Sequence, residues 1–230
     1  MERDGLMRKA IQTFLRAFAT GLLIGMGGIV YLSCDNRYVG AALFGTGLFV
    51  VLTFGFDLFT GKVGYALERE HSYIGDLGII WLGNLAGTAL TALMTMYTRI
   101  SAIGDKAADL CRIKLEDSLF SLFLLAVFCG MLMFIAAEGY KRIDNPVAKI
   151  MAVFLPVMVF ILCGFEHCVA DMFYFSTAKM WSVNAFIRLL IMTAGNSVGG
   201  IAFALLRKNV FNAADSKISK NDKTDNKNAA

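Results

Sequence analysis

Six stretches of this chain, 17–34, 38–56, 77–98, 118–137, 150–165 and 189–206, contain no Asp, Glu, Lys or Arg, and each is between 16 and 22 residues long. Bilayer hydrocarbon is about 30 Å thick and a helix rises about 1.5 Å per residue, so roughly 20 apolar residues cross it. Hydrophobic residues are 57% of the 230, charged residues 17%, and the mean hydropathy is +0.61, outside the range of an ordinary soluble domain. An all-α membrane protein with six transmembrane helices is therefore expected. The first stretch is longer than a signal-peptide core and no small-residue cleavage site follows it, so it reads as a span.

Lys and Arg near the span ends set the orientation. With both termini inside, Arg3, Arg8, Lys9, Arg69, Lys141, Arg142, Arg207, Lys208 and the basic tail face the cytoplasm, against Arg37, Arg99, Lys106, Arg112, Lys114 and Lys179 outside. These flanks account for the net charge of +4 without any nucleic-acid partner. Residues 1–16 mix charges with Leu6, Met7, Ile11, Phe14 and Leu15, which suits an amphipathic helix lying at the cytoplasmic interface before the first span turns in. Residues 209–230 are polar and are expected to form a disordered cytoplasmic tail after a six-helix channel domain at 1–208.

Inside the spans one pattern occurs twice. Gly55-Phe56-Asp57 precedes Gly83-Asn84-Leu85-Ala86-Gly87, and Gly164-Phe165-Glu166 precedes Gly195-Asn196-Ser197-Val198-Gly199. The mixed, charged segment 98–118 separates the copies. Each half, about 10–98 and 118–208, then holds three spans, and an odd number turns the second half upside down, giving a 3+3 inverted repeat. Glycine, phenylalanine and a carboxylate in apolar sequence mark a broken helix in each half, at 57–62 and 166–171. Non-helical backbone and charge at membrane depth are tolerated only against protein or a water-filled cavity, and repeats of this kind hold substrate between their halves near the midplane. Half-helices starting at both breaks would aim N-terminal amides at one spot, which favours an anion.

His167 at the second break is titratable and beside Glu166, suited to donate a hydrogen bond or proton to an anion stripped of water. Thr60 at the first break is suited to cap freed amides, to donate to an anion, or both. The GNxxG glycines suit close helix packing, and Asn84 and Asn196 need partners that the broken loops offer. The cysteines, Cys34, Cys111, Cys129, Cys163 and Cys168, form no CxxC motif and suit packing. His71 is the other histidine and no HExxH or carboxylate cluster accompanies it, so neither an enzyme, a metal nor a cofactor is expected.

At Leu58-Phe59-Thr60-Gly61, Gly164-Phe165-Glu166-His167 with Val169-Ala170 and Met172, and Gly195-Asn196-Ser197-Val198-Gly199-Gly200, the chain resembles the formate/nitrite transporter family of anion channels. The resemblance spans roughly residues 10–208. It implies an aquaporin-like protomer in a homopentamer of the bacterial inner membrane, each protomer passing a small monovalent weak-acid anion of the formate, nitrite or hydrosulfide class. By position it implies that His167 is the central pore histidine, Thr60 the threonine facing it, and Glu166 the carboxylate behind it. Lys149 would be a vestibule lysine, and Asn84 and Asn196 part of the pore site. Leu48, Phe160 and Phe44 would form one apolar constriction, Leu58 and Phe59 another; by spacing alone these side chains equally suit core packing.

Aligning the breaks sets Lys62 against Asp171, where the resemblance implies neutral polar residues. Either these two charges pair near the pseudo-twofold axis, or the inversion sends each to its own face. A neutral small-solute facilitator of the same architecture is the competing function, although paired Asn-Pro-Ala boxes are absent and the two prolines, Pro146 and Pro156, sit elsewhere.

Overall fold

A computed structural model describes the backbone of residues 2–228 and the side chains of residues 4–210. Regular structure among the described residues is helical: α1 (Glu2–Ser33), α2 (Arg37–Thr53), α3 (Phe59–Lys62) continued by a 3-10 turn (Val63–Tyr65), α4 (Ser72–Met96), α5 (Ile103–Glu116), α6 (Leu119–Arg142), α7 (Pro146–Cys163), α8 (Cys168–Thr177) and α9 (Val183–Asn228). Five segments are long and apolar enough to span a bilayer, Asp4–Ser33, Ser72–Met96, Leu119–Arg142, Pro146–Cys163 and Val183–Val210; α2, with 17 residues, is a shorter apolar helix. The tail expected to be disordered lies almost wholly outside the residues whose side chains are described.

Local chemistry explains where several helices start. Asn36 accepts from the Tyr38 and Val39 amides ahead of α2, Ser118 from Ser121 ahead of α6, and Asn145 from Ala148 ahead of α7, which has Pro146 in its first turn. Both α2 and α7 end in the same reversal. Gly55 (φ +67°) and Gly164 (φ +70°) adopt the left-handed conformation that side chains resist. Phe56 N then donates to Val51 O and Phe165 N to Phe160 O, each at 2.9 Å, folding the chain back along the helix it has left.

The most extensive helix contacts are α1 on α4 and α6 on α9. They are close because glycine lets main chain meet main chain: a Cβ on Gly87 would stand 2.1 Å from Phe18 O, and one on Gly199 would stand 2.0 Å from Val127 O. The α2 helix packs on α1 and α7, α7 packs on α6, and the short α8 is enclosed by α1, α4, α5 and α9.

One local expectation is corrected. The segment 1–16 does not turn before the first span, since α1 is one continuous helix of 32 residues, extended at its start by Lys9, which pairs with Asp76 of α4 at 2.8 Å. A change from mixed to apolar side chains ends a span without ending a helix. The connection between the halves, read only as a mixed, charged segment, contains α5, whose Ala107 and Cys111 are fully buried.

Candidate functional site

Where the chain resumes after each reversal, one asparagine holds it. Asn84 accepts from Phe59 N at 2.9 Å and donates to Ala17 O and Asp57 O at 2.8 and 3.0 Å. Asn196 accepts from Cys168 N at 2.9 Å and donates to Ala126 O and Glu166 O, both at 2.8 Å. Each amide thus satisfies three buried backbone groups, a need set by the broken helix itself. Both Nδ2 hydrogens are committed to carbonyls, so the structure makes Asn84 and Asn196 clamps rather than groups free to meet a solute.

The loops they hold present His167 and Thr60 to each other. His167 Nε2 lies 2.8 Å from Thr60 Oγ1, with the residues 2% and 0% exposed. His167 Nδ1 accepts from Ala170 N at 3.0 Å, capping α8. An imidazole that accepts at Nδ1 carries its proton on Nε2, which therefore donates to Thr60. That leaves the threonine hydroxyl hydrogen to point elsewhere. Thr60 meets the histidine instead of capping its own loop. The half-helix amides expected to aim at a solute are largely taken: Phe59 N by Asn84, Cys168 N by Asn196, Ala170 N by His167.

Apolar rings crowd this pair. Phe160 lies 5.5 Å from the His167 ring centroid, and Phe44 meets Phe160 edge-on at 5.8 Å. Leu48, Leu58 and Phe59 are buried in the same hydrophobic cluster.

Charged groups line two cavities of different balance, and His167 itself lines the smaller. The larger, about 230 Å³, is lined by Arg16, Lys62, Arg69, Lys141, Asp57 and Asp76 among others, with cations in excess. Asp57 is held there by Arg16 at 2.7 Å and Lys62 at 2.8 Å. The smaller, about 80 Å³, is lined by Tyr31, Arg37, Lys114, His167, Asp171 and Tyr174 among others. Here one ammonium, Lys114, serves two carboxyl groups, Glu166 and Asp171. Burial alone would push Lys114 down, yet the adjacent Asp171 and Glu166 hold it above the ordinary lysine value.

These contacts decide the pairing left open for Lys62 and Asp171. Lys62 and Asp171 do not pair: Lys62 meets Asp57, and Asp171 meets Lys114 at 3.0 Å. Repeat equivalence misled because each charge found its partner outside the equivalence, in its own loop or on α5. Lys149 lines neither of these cavities; its Nζ lies 5.3 Å over the Tyr140 ring at the start of α7. The lysine beside Glu166 is Lys114, which sequence reasoning passed over as one of several charges in a loop. Its signal was the alternation of Leu110, Cys111 and Lys114 on a helical face.

Buried polar groups that face one another from two broken loops, inside an apolar bundle, suit the passage of a small polar solute through a membrane, and the chain is of the transporter class. The formate/nitrite transporter model matches residues 3–208, and the chain belongs to that family. It is 28% identical to the uncharacterized transporter YrhG of Bacillus subtilis (strain 168), over 73% of this chain and 69% of that one. It is 27% identical to a probable formate transporter of Methanothermobacter thermautotrophicus, over 81% and 84%. Its fold is similar to that of a pentameric formate channel solved with formate bound, with a TM-score of 0.75 at 23% identity, covering 90% of this chain and 98% of that one. Matched relatives are transporters and channels, not enzymes.

Proposed function

We propose that each protomer passes a small monovalent weak-acid anion, of the formate, nitrite or hydrosulfide class, with His167 and Thr60 at the middle of its path. The observation that carries this reading is the contact of His167 Nε2 with Thr60 Oγ1 at 2.8 Å, made between two separate broken loops. The imidazole polarises the threonine, whose remaining hydroxyl hydrogen is available to an anion. Around it, Phe44, Leu48, Phe160, Leu58 and Phe59 act as constrictions that strip water, and a naked charge crosses them only at high cost. Proton transfer near the histidine lowers that cost by making the solute neutral.

The excess of cations in the larger cavity raises the local anion concentration, the part first expected of Lys149. The matching reversals and the matching bonds of Asn84 and Asn196 support a 3+3 inverted repeat, α1 to α4 against α6 to α9, with both termini cytoplasmic. Large apolar side chains exposed on the outer faces, such as Leu82, Leu93, Phe128 and Phe186, are covered in this reading by lipid and by neighbours in a homopentamer of the bacterial inner membrane.

Proteoliposomes loaded with formate, nitrite or hydrosulfide across a pH series test the reading. At least one of these is expected to cross faster than through protein-free vesicles. Background rates for all of them, with glycerol or water flux raised, would put a neutral-solute facilitator in its place.

A further inference from the structure

Around Lys114 the charges do not balance. It meets Glu166 and Asp171 at once, and the three side chains are 12%, 5% and 1% exposed. No hydrogen-bond donor faces Asp171 Oδ2, although that atom is buried. The Glu166 and Asp171 carboxyl groups lie against the same Lys114 ammonium, Asp171 at 3.0 Å, and are therefore close neighbours. Two ionised carboxylates this close, away from water, repel; a proton held between them removes the repulsion and gives each a partner.

The other groups around Asp171 supply no spare cation. Cys111 comes from α5, Cys129 from α6, Tyr31 from α1, and Cys168 and Tyr174 from α8 itself. Arg37 from α2 is bonded to the Ile161 and Leu162 carbonyls at 2.9 Å, and Arg188 from α9 to the carbonyls of Lys114 and Asp117. The titratable residues of α4, Tyr73 and Asp76, line the larger cavity. With one proton on the carboxyl pair the triad is neutral; without it a net negative charge stands beside the path of an anion. His167 is poorly placed to cycle protons itself, because a second proton on Nδ1 breaks the cap it makes with Ala170.

We propose that the Glu166–Asp171 pair holds one exchangeable proton and gives it, from Asp171, to the weak-acid anion that reaches His167 through the cavity that Lys114, His167 and Asp171 line. The carboxyl O–H bond breaks and its electron pair stays on the carboxylate, while an O–H or S–H bond forms on the anion, which leaves as the neutral acid. Water entering the Arg37-lined cavity returns a proton to the pair. The inference rests on the transport reading, and the next experiment separates the two.

Infrared difference spectra of the purified protein, on adding formate, need no transport. A protonated-carboxyl C=O band is expected in the wild type, bleached by formate and absent from Asp171→Asn. Glu166→Gln removes the other half of the pair and must also abolish the band, which keeps the test open where one variant fails to assemble. No such band, a band indifferent to formate, or a band surviving either substitution overturns the proposal. In proteoliposomes, wild-type formate uptake is expected to carry protons with it and to ignore an imposed membrane potential. Asp171→Asn is expected to respond to the potential, with its proton-to-formate ratio lowered severalfold. Equal ratios in the two overturn the proposal. A bleached band in a protein that passes no formate supports the exchange and overturns the transport reading alone.

Discussion

His167 of the second broken loop and Thr60 of the first meet through Nε2 and Oγ1 at 2.8 Å, although 107 residues separate them in the chain. The contact exists only because each loop is folded back by its glycine and clamped by its asparagine. Function at this point therefore depends on two independent pieces of backbone, and it can be disturbed at either one.

Replacing His167 by Phe keeps a ring against Phe160 but removes the contact to Thr60 and the cap on α8, the latter worth about 1 kcal/mol. His167→Asn keeps a capping acceptor and loses the reach to Thr60 together with the ring against Phe160. Both variants are expected to reduce anion flux in liposomes to background. Thr60→Val is expected to slow flux by about tenfold, the equivalent of one lost hydrogen bond. Undiminished flux in His167→Asn would remove the histidine from the path.

Asn84→Ala leaves Phe59 N and Asp57 O buried without their partner, and Asn196→Ala does the same to Cys168 N and Glu166 O, whereas Ala17 O and Ala126 O keep the helical bonds of α1 and α6. At about 1 kcal/mol or more for each abandoned group, either change is expected to cost about 2 kcal/mol. Thermal unfolding of the purified protein should show two losses of similar size. A large loss at one site and none at the other would break the equivalence of the clamps.

Gly199→Ala would force a methyl group to 2.0 Å from Val127 O, an atom of a neighbouring helix backbone that has nowhere to go. A destabilisation of about 1–3 kcal/mol is expected, as for overpacking elsewhere. Gly75→Ala, on α4 with nothing within 4 Å of the new atom, is the control and is expected to be neutral or to stabilise by up to about 1 kcal/mol. Equal unfolding temperatures for the two variants would count against close α6–α9 packing.

A pair of double-mutant cycles read by thermal unfolding tests the charge map. Lys62 and Asp57, 2.8 Å apart, should show a coupling of about 1 kcal/mol, whereas Lys62 and Asp171 should be additive to about 0.5 kcal/mol. Coupling in the second cycle would restore the pairing that repeat equivalence suggested.

Much of the site was legible because it is written in the backbone's needs. A glycine before a carboxylate in apolar sequence announces the reversal, and an asparagine in hydrocarbon must bond whatever main chain the reversal frees. His167 and Thr60 stand out for the same reason, as polar groups where none is cheap. Charge pairing was less legible. Arg16 reaches Asp57 from α1 and Lys114 reaches Glu166 from α5, contacts set by how helices lean together and not by spacing along the chain. Lys149 rested on the resemblance alone, and α7 runs almost its full length between it and His167. The continuity of α1 was hidden because polarity changes at the water boundary while helical hydrogen bonding does not.

The clamps grip only main chain: the carbonyls of Asp57 and Glu166, the amides of Phe59 and Cys168. They are blind to the side chains in between, which is why one loop can show Leu58 and Thr60 while its counterpart shows His167 and Val169. Mount and display are separate inheritances. A chain of this build can be retuned to another solute by changing what the loops present, with no revision of the frame that presents it, and a library varied only at residues 58, 60, 167 and 169 would explore selectivity on a constant scaffold.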